Sequence, residues 1–273
     1  MDDKQGLKSK ILWYLLVLIF IMPFLFPLVW ILMASFKTQA QIVAMPPVWF
    51  FTPTLENYQK VFIDQDFGRF LLNSSIIAVG STVLSLILGL PAAYTISRYK
   101  QRGLGIFILL ARLMPGISYL IPWFILFSKL RLVDTYTSLI ASHMLVGMPL
   151  IIWIMINYFD ALPKELEEAA QVDGCTLQGA FFRVVLPLSG PGILTASTLA
   201  FLFSWNNFMF ALVLSADRTK TLPIAIYSFV SYAEVSWGSV MAAAVVIIAP
   251  AIILTMVFQR YVIKGLTMGA VKG

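Results

Sequence analysis

Residues 11–36 read ILWYLLVLIFIMPFLFPLVWILMASF, a run without a single charged side chain. At 1.5 Å per residue a helix of this length exceeds a hydrocarbon core of about 30 Å. The run is also longer than the 7 to 15 residue core of a secretory signal, and no convincing small-residue cleavage site follows it. It is therefore expected to stay in the membrane as a span. Working outward, uncharged stretches recur at residues 70–97, 135–159, 184–216 and 235–259, and a further one at 103–128 is interrupted only by Arg112. The chain of 273 residues is 60% hydrophobic and 12% charged, where a soluble domain carries about 25% charged residues.

The reading is an all-α membrane protein, one domain over residues 1–273, with six transmembrane helices at about 11–34, 70–95, 104–127, 136–158, 189–213 and 238–260. Six crossings put both termini on one side. With them go the turn around Tyr99, a loop at 160–187 and a tail at 261–273, which together with Arg260 at the end of the last span carry eleven of the basic residues against seven on the other side. Basic loops stay cytoplasmic, so both ends are expected there, and the net charge of +6 is read as loop sorting rather than nucleic-acid binding. Residues 215–237 then form an external loop. Within it 221–233 is uncharged but reaches only about 20 Å as a helix, which suits a short helix at the interface. Residues 37–69, with Pro46, Pro47 and Pro53, are expected to be an irregular external loop.

Catalytic chemistry finds little to work with. Cys175 and His143 are the sole members of their types, which removes disulfide frameworks, His-His metal pairs and multi-cysteine sites. No metal ligand or catalytic residue is assigned, and His143 is read as a packing or hydrogen-bonding residue. No Gly-x-x-x-x-Gly-Lys-Ser/Thr loop exists to cradle phosphates, so ATP has to be used elsewhere.

The loop at 163–187 reads PKELEEAAQVDGCTLQGAFFRVVLP. Pro163 suits a helix start, Glu165, Glu167 and Glu168 favour the positive end of the helix dipole, and Gly174 suits a left-handed C-terminal cap. Helical spacing groups Leu166, Ala169, Ala170 and Asp173 on one face, a narrow stripe able to enter a groove on another protein. A second short helix over 176–183 leads to Pro187.

This loop resembles the signature of ATP-binding-cassette importer permeases, here Glu168, Ala169, Ala170, Gly174, Val184, Leu186 and Pro187, with Val184 where the family usually has isoleucine. Leu132-Val-Asp-Thr-Tyr136, Trp205-Asn206, Thr221-Leu222-Pro223 and the ending from Gly265 to Gly273 are similar to the smaller, six-span permease of maltose-type carbohydrate importers. The resemblance implies a type I importer permease whose cytoplasmic coupling helix lies between spans four and five. It also implies a bacterial inner-membrane complex with a larger permease, two ATP-binding subunits that hold the ATP and magnesium, and an extracytoplasmic solute-binding protein. This chain itself would hold no cofactor and would touch sugar, lipid and those partners. Arg218, Thr221, Leu222 and Pro223 would face the binding protein. The tail, which alone suggests disorder, would dock between the ATP-binding subunits.

Trp205, Asn206 and Asn207 combine an aromatic face with two amides, suited to a sugar pathway and equally to gluing helices together. Arg112 faces the bundle interior or water, or snorkels to the cytoplasmic interface. Pro115-Gly116 and Pro122 are positions for a kink. The solute is expected to be a saccharide, with glycerol phosphate or an anionic sugar as alternatives. An ion-driven secondary transporter is opposed by the lack of any Asp or Glu within the six spans.

Overall fold

The computed structural model describes residues 3–229 and 235–267, and among them the elements are helical. Helix α1 is Asp3–Ser35, α2 Phe67–Arg98, α3 Arg102–Leu113, α4 Ile117–Lys129 and α5 Tyr136–Ala161. They are followed by α6 Glu165–Val172, α7 Leu177–Leu188, α8 Gly190–Trp205, α9 Met209–Leu214 and α10 Trp237–Thr267. Four of these, α1, α2, α5 and α10, are long and apolar enough to cross a membrane unbroken. Two bent pairs, α3 with α4 and α7 with α8, raise the possible count to six.

Contacts group the chain into two compact units, Met1–Phe67 with Ile226–Ala249, and Gly68–Ala225 with Pro250–Gly273. In the first, α1 is apolar all round and its membrane-length segment buries none of itself, as a helix does when lipid is its solvent. Beyond it, Asn57 donates from Nδ2 to Ser35 O at 2.9 Å and to Lys37 O at 2.7 Å, satisfying carbonyls that the helix end leaves free. The fully buried Lys37 donates to Val48 O at 2.6 Å and lies over the rings of Trp30 and Phe51. The segment expected to be irregular is thus tied down, with short helices at Gln39–Val43 and Glu56–Gln59.

The second unit is centred on α5, which packs against α3 and α8. Leu90, Tyr94, Ile151, Met155, Phe159, Phe181 and Ala200 meet in its core. Small residues bring the helices together, since without a hydrophobic drive in lipid close van der Waals contact holds them. At Gly192 of α8 an added Cβ would come within 2.5 Å of the Tyr158 ring of α5.

Two expected spans differ from straight rods. The one at 104–127 is broken between Leu113 and Ile117, and its halves are bent by 91°. Pro115 disfavours helical geometry at the preceding residue, and Met114 is extended at φ −64 and ψ 130. Pro122, by contrast, lies inside α4. The expected span at 189–213 stops at Trp205 and resumes at Met209. At the other end α10 continues past residue 260 to Thr267, so the first part of the expected tail is helical. Residues 268–273 and the loop positions 230–234 lie outside the described residues.

Candidate functional site

The loop after α5 is a helix, a glycine turn and a second helix. Its first helix, α6, begins with three glutamates in its first turn, and the chain leaves it through Gly174 at φ +89, a conformation that costs a residue with a Cβ. Cys175 N–H then bonds back to Ala170 O at 2.9 Å. Thr176 caps α7 by accepting from Gly179 N–H at 3.1 Å.

One side of α6 is bolted to the core. Glu167, 5% exposed, accepts from Tyr94 Oη at 2.6 Å and from Arg98 Nε at 2.6 Å. Arg98 also donates to Phe159 O at 2.8 Å, so the loop, the end of α2 and the end of α5 share one guanidinium. The expected stripe is corrected in one member: Ala170 is buried against the chain's own fold. Leu166, Glu168, Ala169, Asp173 and Gly174 are open, and Val172, 87% exposed, joins them. Val184 and Leu186 are half-buried and Pro187 is exposed. Glu167 is the residue that sequence reasoning missed, having been counted only as a helix-end charge. Its sole sequence signal is its place on the face opposite Leu166 and Val172.

A second polar cluster lies where α4 turns into α5. Asp134, at φ +61, accepts from the N–H groups of Ala216, Arg218 and Thr219 and from Thr219 Oγ1 at 2.8 to 3.1 Å. Burial pushes its carboxyl up, but those donors outweigh burial and hold it below its ordinary 3.8. Asn73 of α2 donates to Arg218 O and Lys220 O and accepts from Tyr136 Oη. Leu222 N–H donates to Ser74 Oγ at 2.8 Å. The loop is therefore stitched to the helix ends, which corrects its expected facing: Thr221 and Leu222 are buried, Pro223 is half-buried, and Arg218 alone of the four is exposed.

The third feature is a cavity of about 810 Å³ at the two helix breaks, lined by residues of α3, α4, α5, α8 and α9. Arg112, Tyr119, Asn206 and Asn207 supply its polar wall, and Phe203 and Phe208 belong to the rest. Tyr119 Oη donates to Ala111 O at 2.8 Å, answering a carbonyl freed where α3 ends. Asn206 is exposed, with Nδ2 donating to Leu202 O. Asn207 is 9% exposed and its Oδ1 accepts from Phe210 N–H, starting α9. Trp205 is buried, stacks on Phe201 and does not line the cavity, which removes it from the expected pathway set. His143 is buried, its Nδ1 2.6 Å from Ser204 Oγ. No group of three or more possible metal ligands occurs among the described residues.

The family model described as binding-protein-dependent transport system inner membrane component matches residues 85–268. The chain is 38% identical to the sulfoquinovosyl glycerol transport system permease protein of Agrobacterium fabrum, covering 91% of this chain and 89% of that one. It is also 38% identical to the trehalose/maltose transport system permease protein of Thermococcus litoralis, covering 91% and 92%. Among solved structures it superposes with a TM-score of 0.78 on a chain of a bacterial ABC transporter involved in the import of the acidic polysaccharide alginate, over 96% of this chain and 99% of that one, at 24% identity.

Proposed function

The chain belongs to the family of binding-protein-dependent transport system inner membrane components, and from that membership we propose that it is the smaller permease subunit of a carbohydrate importer. With a larger permease it forms the solute pathway. Two ATP-binding subunits hold ATP and magnesium, and a binding protein delivers the sugar from outside. Both termini lie in the cytoplasm of a bacterial cell. The permease names of relatives that take up trehalose or maltose and sulfoquinovosyl glycerol support a saccharide as the solute.

The observation that carries this reading is α6, one face bolted to α2 and α5 through Glu167 and the other open along Leu166, Glu168, Ala169, Val172 and Asp173. A partner pressing on the open face displaces a helix that is pinned to two spans, and the movement reaches the core. Alternating access then follows as a population shift between inward- and outward-open bundles. Outside, Arg218 and its exposed neighbour Asp217 meet the binding protein, while the Asp134 cluster keeps that loop attached to the helices. The end of the chain docks between the ATP-binding subunits.

The test is uptake of radiolabelled saccharides by proteoliposomes holding the complete complex, with ATP inside and binding protein outside. Uptake that needs ATP and the co-expressed ATP-binding subunits is expected. Uptake driven by a sodium or proton gradient without them would favour a secondary transporter instead.

A further inference from the structure

Among the described residues, Arg112 is the one charged residue on the wall of the cavity at the helix breaks. It stands ten residues beyond the start of α3 at Arg102, up to about 15 Å along the axis from that helix end. Beside the 91° break between α3 and α4, its side chain lines the cavity, where a solute's polar groups can reach the guanidinium. Among the described residues no carboxylate pairs with it, and no acidic residue lines the cavity.

The same wall offers groups that recognise the neutral part of a sugar. Asn206 and Asn207 bring amides for hydroxyls, and Phe203 and Phe208 bring rings for the apolar face of a pyranose. The cavity, about 810 Å³, falls in the range of roughly 300–1,000 Å³ usual for small-molecule sites. Arginine's planar fork binds carboxylate and related oxyanions with two parallel hydrogen bonds. We propose that Arg112 is the specificity-determining residue of a substrate subsite, pairing with the acid group of an anionic saccharide, whether carboxylate, sulfonate or phosphate. The proposal rests on the carbohydrate-importer reading and narrows its substrate class.

The test uses the complete complex in proteoliposomes with its own binding protein and paired sugars that differ by one acid group. The pairs are a uronate, a 6-sulfonate and a 6-phosphate, each against the parent neutral sugar. Wild type is expected to take up one of the acidic members in preference to its parent. Arg112→Gln should cut that uptake about tenfold or more, through KM, and Arg112→Lys should recover part of it. Assembly by size-exclusion chromatography should be unchanged in both variants. Equal effects on acidic and neutral sugars, or uptake of neutral sugars alone, would overturn the proposal and leave the importer reading standing. Loss of assembly with the larger permease in Arg112→Gln would also overturn it, by placing the guanidinium's partner on that subunit. ATP-dependent uptake of no saccharide at all would overturn the importer reading together with the proposal.

Discussion

Glu167 and Asp134 are carboxylates through which loops are made part of the fold, and they are held in opposite ways. Glu167 is paired: its side chain and that of Arg98 are 7% and 10% exposed, and Tyr94 fills the second oxygen. Removing one partner of a buried pair strands the other charge and costs about 3–5 kcal/mol. Glu167→Ala is therefore expected to lower the melting temperature of the detergent-solubilised complex and to loosen ATP hydrolysis from transport. Glu167→Gln, which keeps the shape and one hydrogen bond, should do so less. A wild-type melting temperature for Glu167→Ala would show that the bolt is idle. Asp134 is held by neutral donors, and its depressed pKa gives the sign of a pH effect. Its contribution is complete above the unfolded value and is lost as pH falls through the lower folded value. Protection of residues 216–222 from amide exchange should persist at neutral pH and fade in acid. In Asp134→Asn, which has no carboxylate to titrate, protection should be weak and insensitive to pH over that range.

At the scale of elements, α6 shows what helical spacing reveals and what it leaves open. The glycine turn, the acidic first turn and the small residues were all legible in Pro163–Pro187, because each follows from local backbone chemistry. Which face points outward was not, because it depends on Arg98 and Tyr94, about seventy positions away in the chain and visible only once the fold joins them. The same applies to the cavity: Pro115 marked a kink, but a 91° break depends on how both halves pack. Trp205 looked like a sugar platform because its type fits, and packing against Phe201 makes it core. The open face leads to a test that leaves the bolt intact. Val172→Asp puts a charge on the exposed stripe without touching Glu167, and is expected to weaken binding of the ATP-binding subunits while the two permeases still assemble. Gly174→Val should act through the backbone, costing about 1–2 kcal/mol for its left-handed conformation. Normal ATPase recruitment by Val172→Asp would remove α6 as the coupling surface. Substituting Ala170 would be a poorer test, since it is buried and a large side chain would disrupt the loop itself.

At the scale of the whole chain two sets of hydrogen bonds support the proposed six crossings, out of the four to six that helix length and composition allow. Arg98 at the end of α2 holds Glu167 after α5, so an even number of crossings separates them. α5 is one of these, and the pair α3–α4 has to be the second. Asp134 before α5 holds Ala216, Arg218 and Thr219, so again an even number lies between. α5 supplies one, and α8 with its neighbours has to supply the other. Four crossings would put Arg98 and Glu167 on opposite faces of the membrane, and five would separate one bonded set or the other. Six, adding α1, α2 and α10, satisfies both and places the α6 loop opposite the Asp134 loop. In the proposed orientation the α6 side, which carries more of the basic residues, is the cytoplasmic one. In a Cys175→Ser background, Asp217→Cys should react with a membrane-impermeant maleimide added to intact cells. Gln178→Cys, equally exposed in the structure, should react only after the membrane is opened. Labelling of both from outside would require an odd number of crossings between Glu167 and Arg218 to be given up. It would also break the link between the α6 face and a cytoplasmic ATPase, since α6 would then be on the side that holds no ATP.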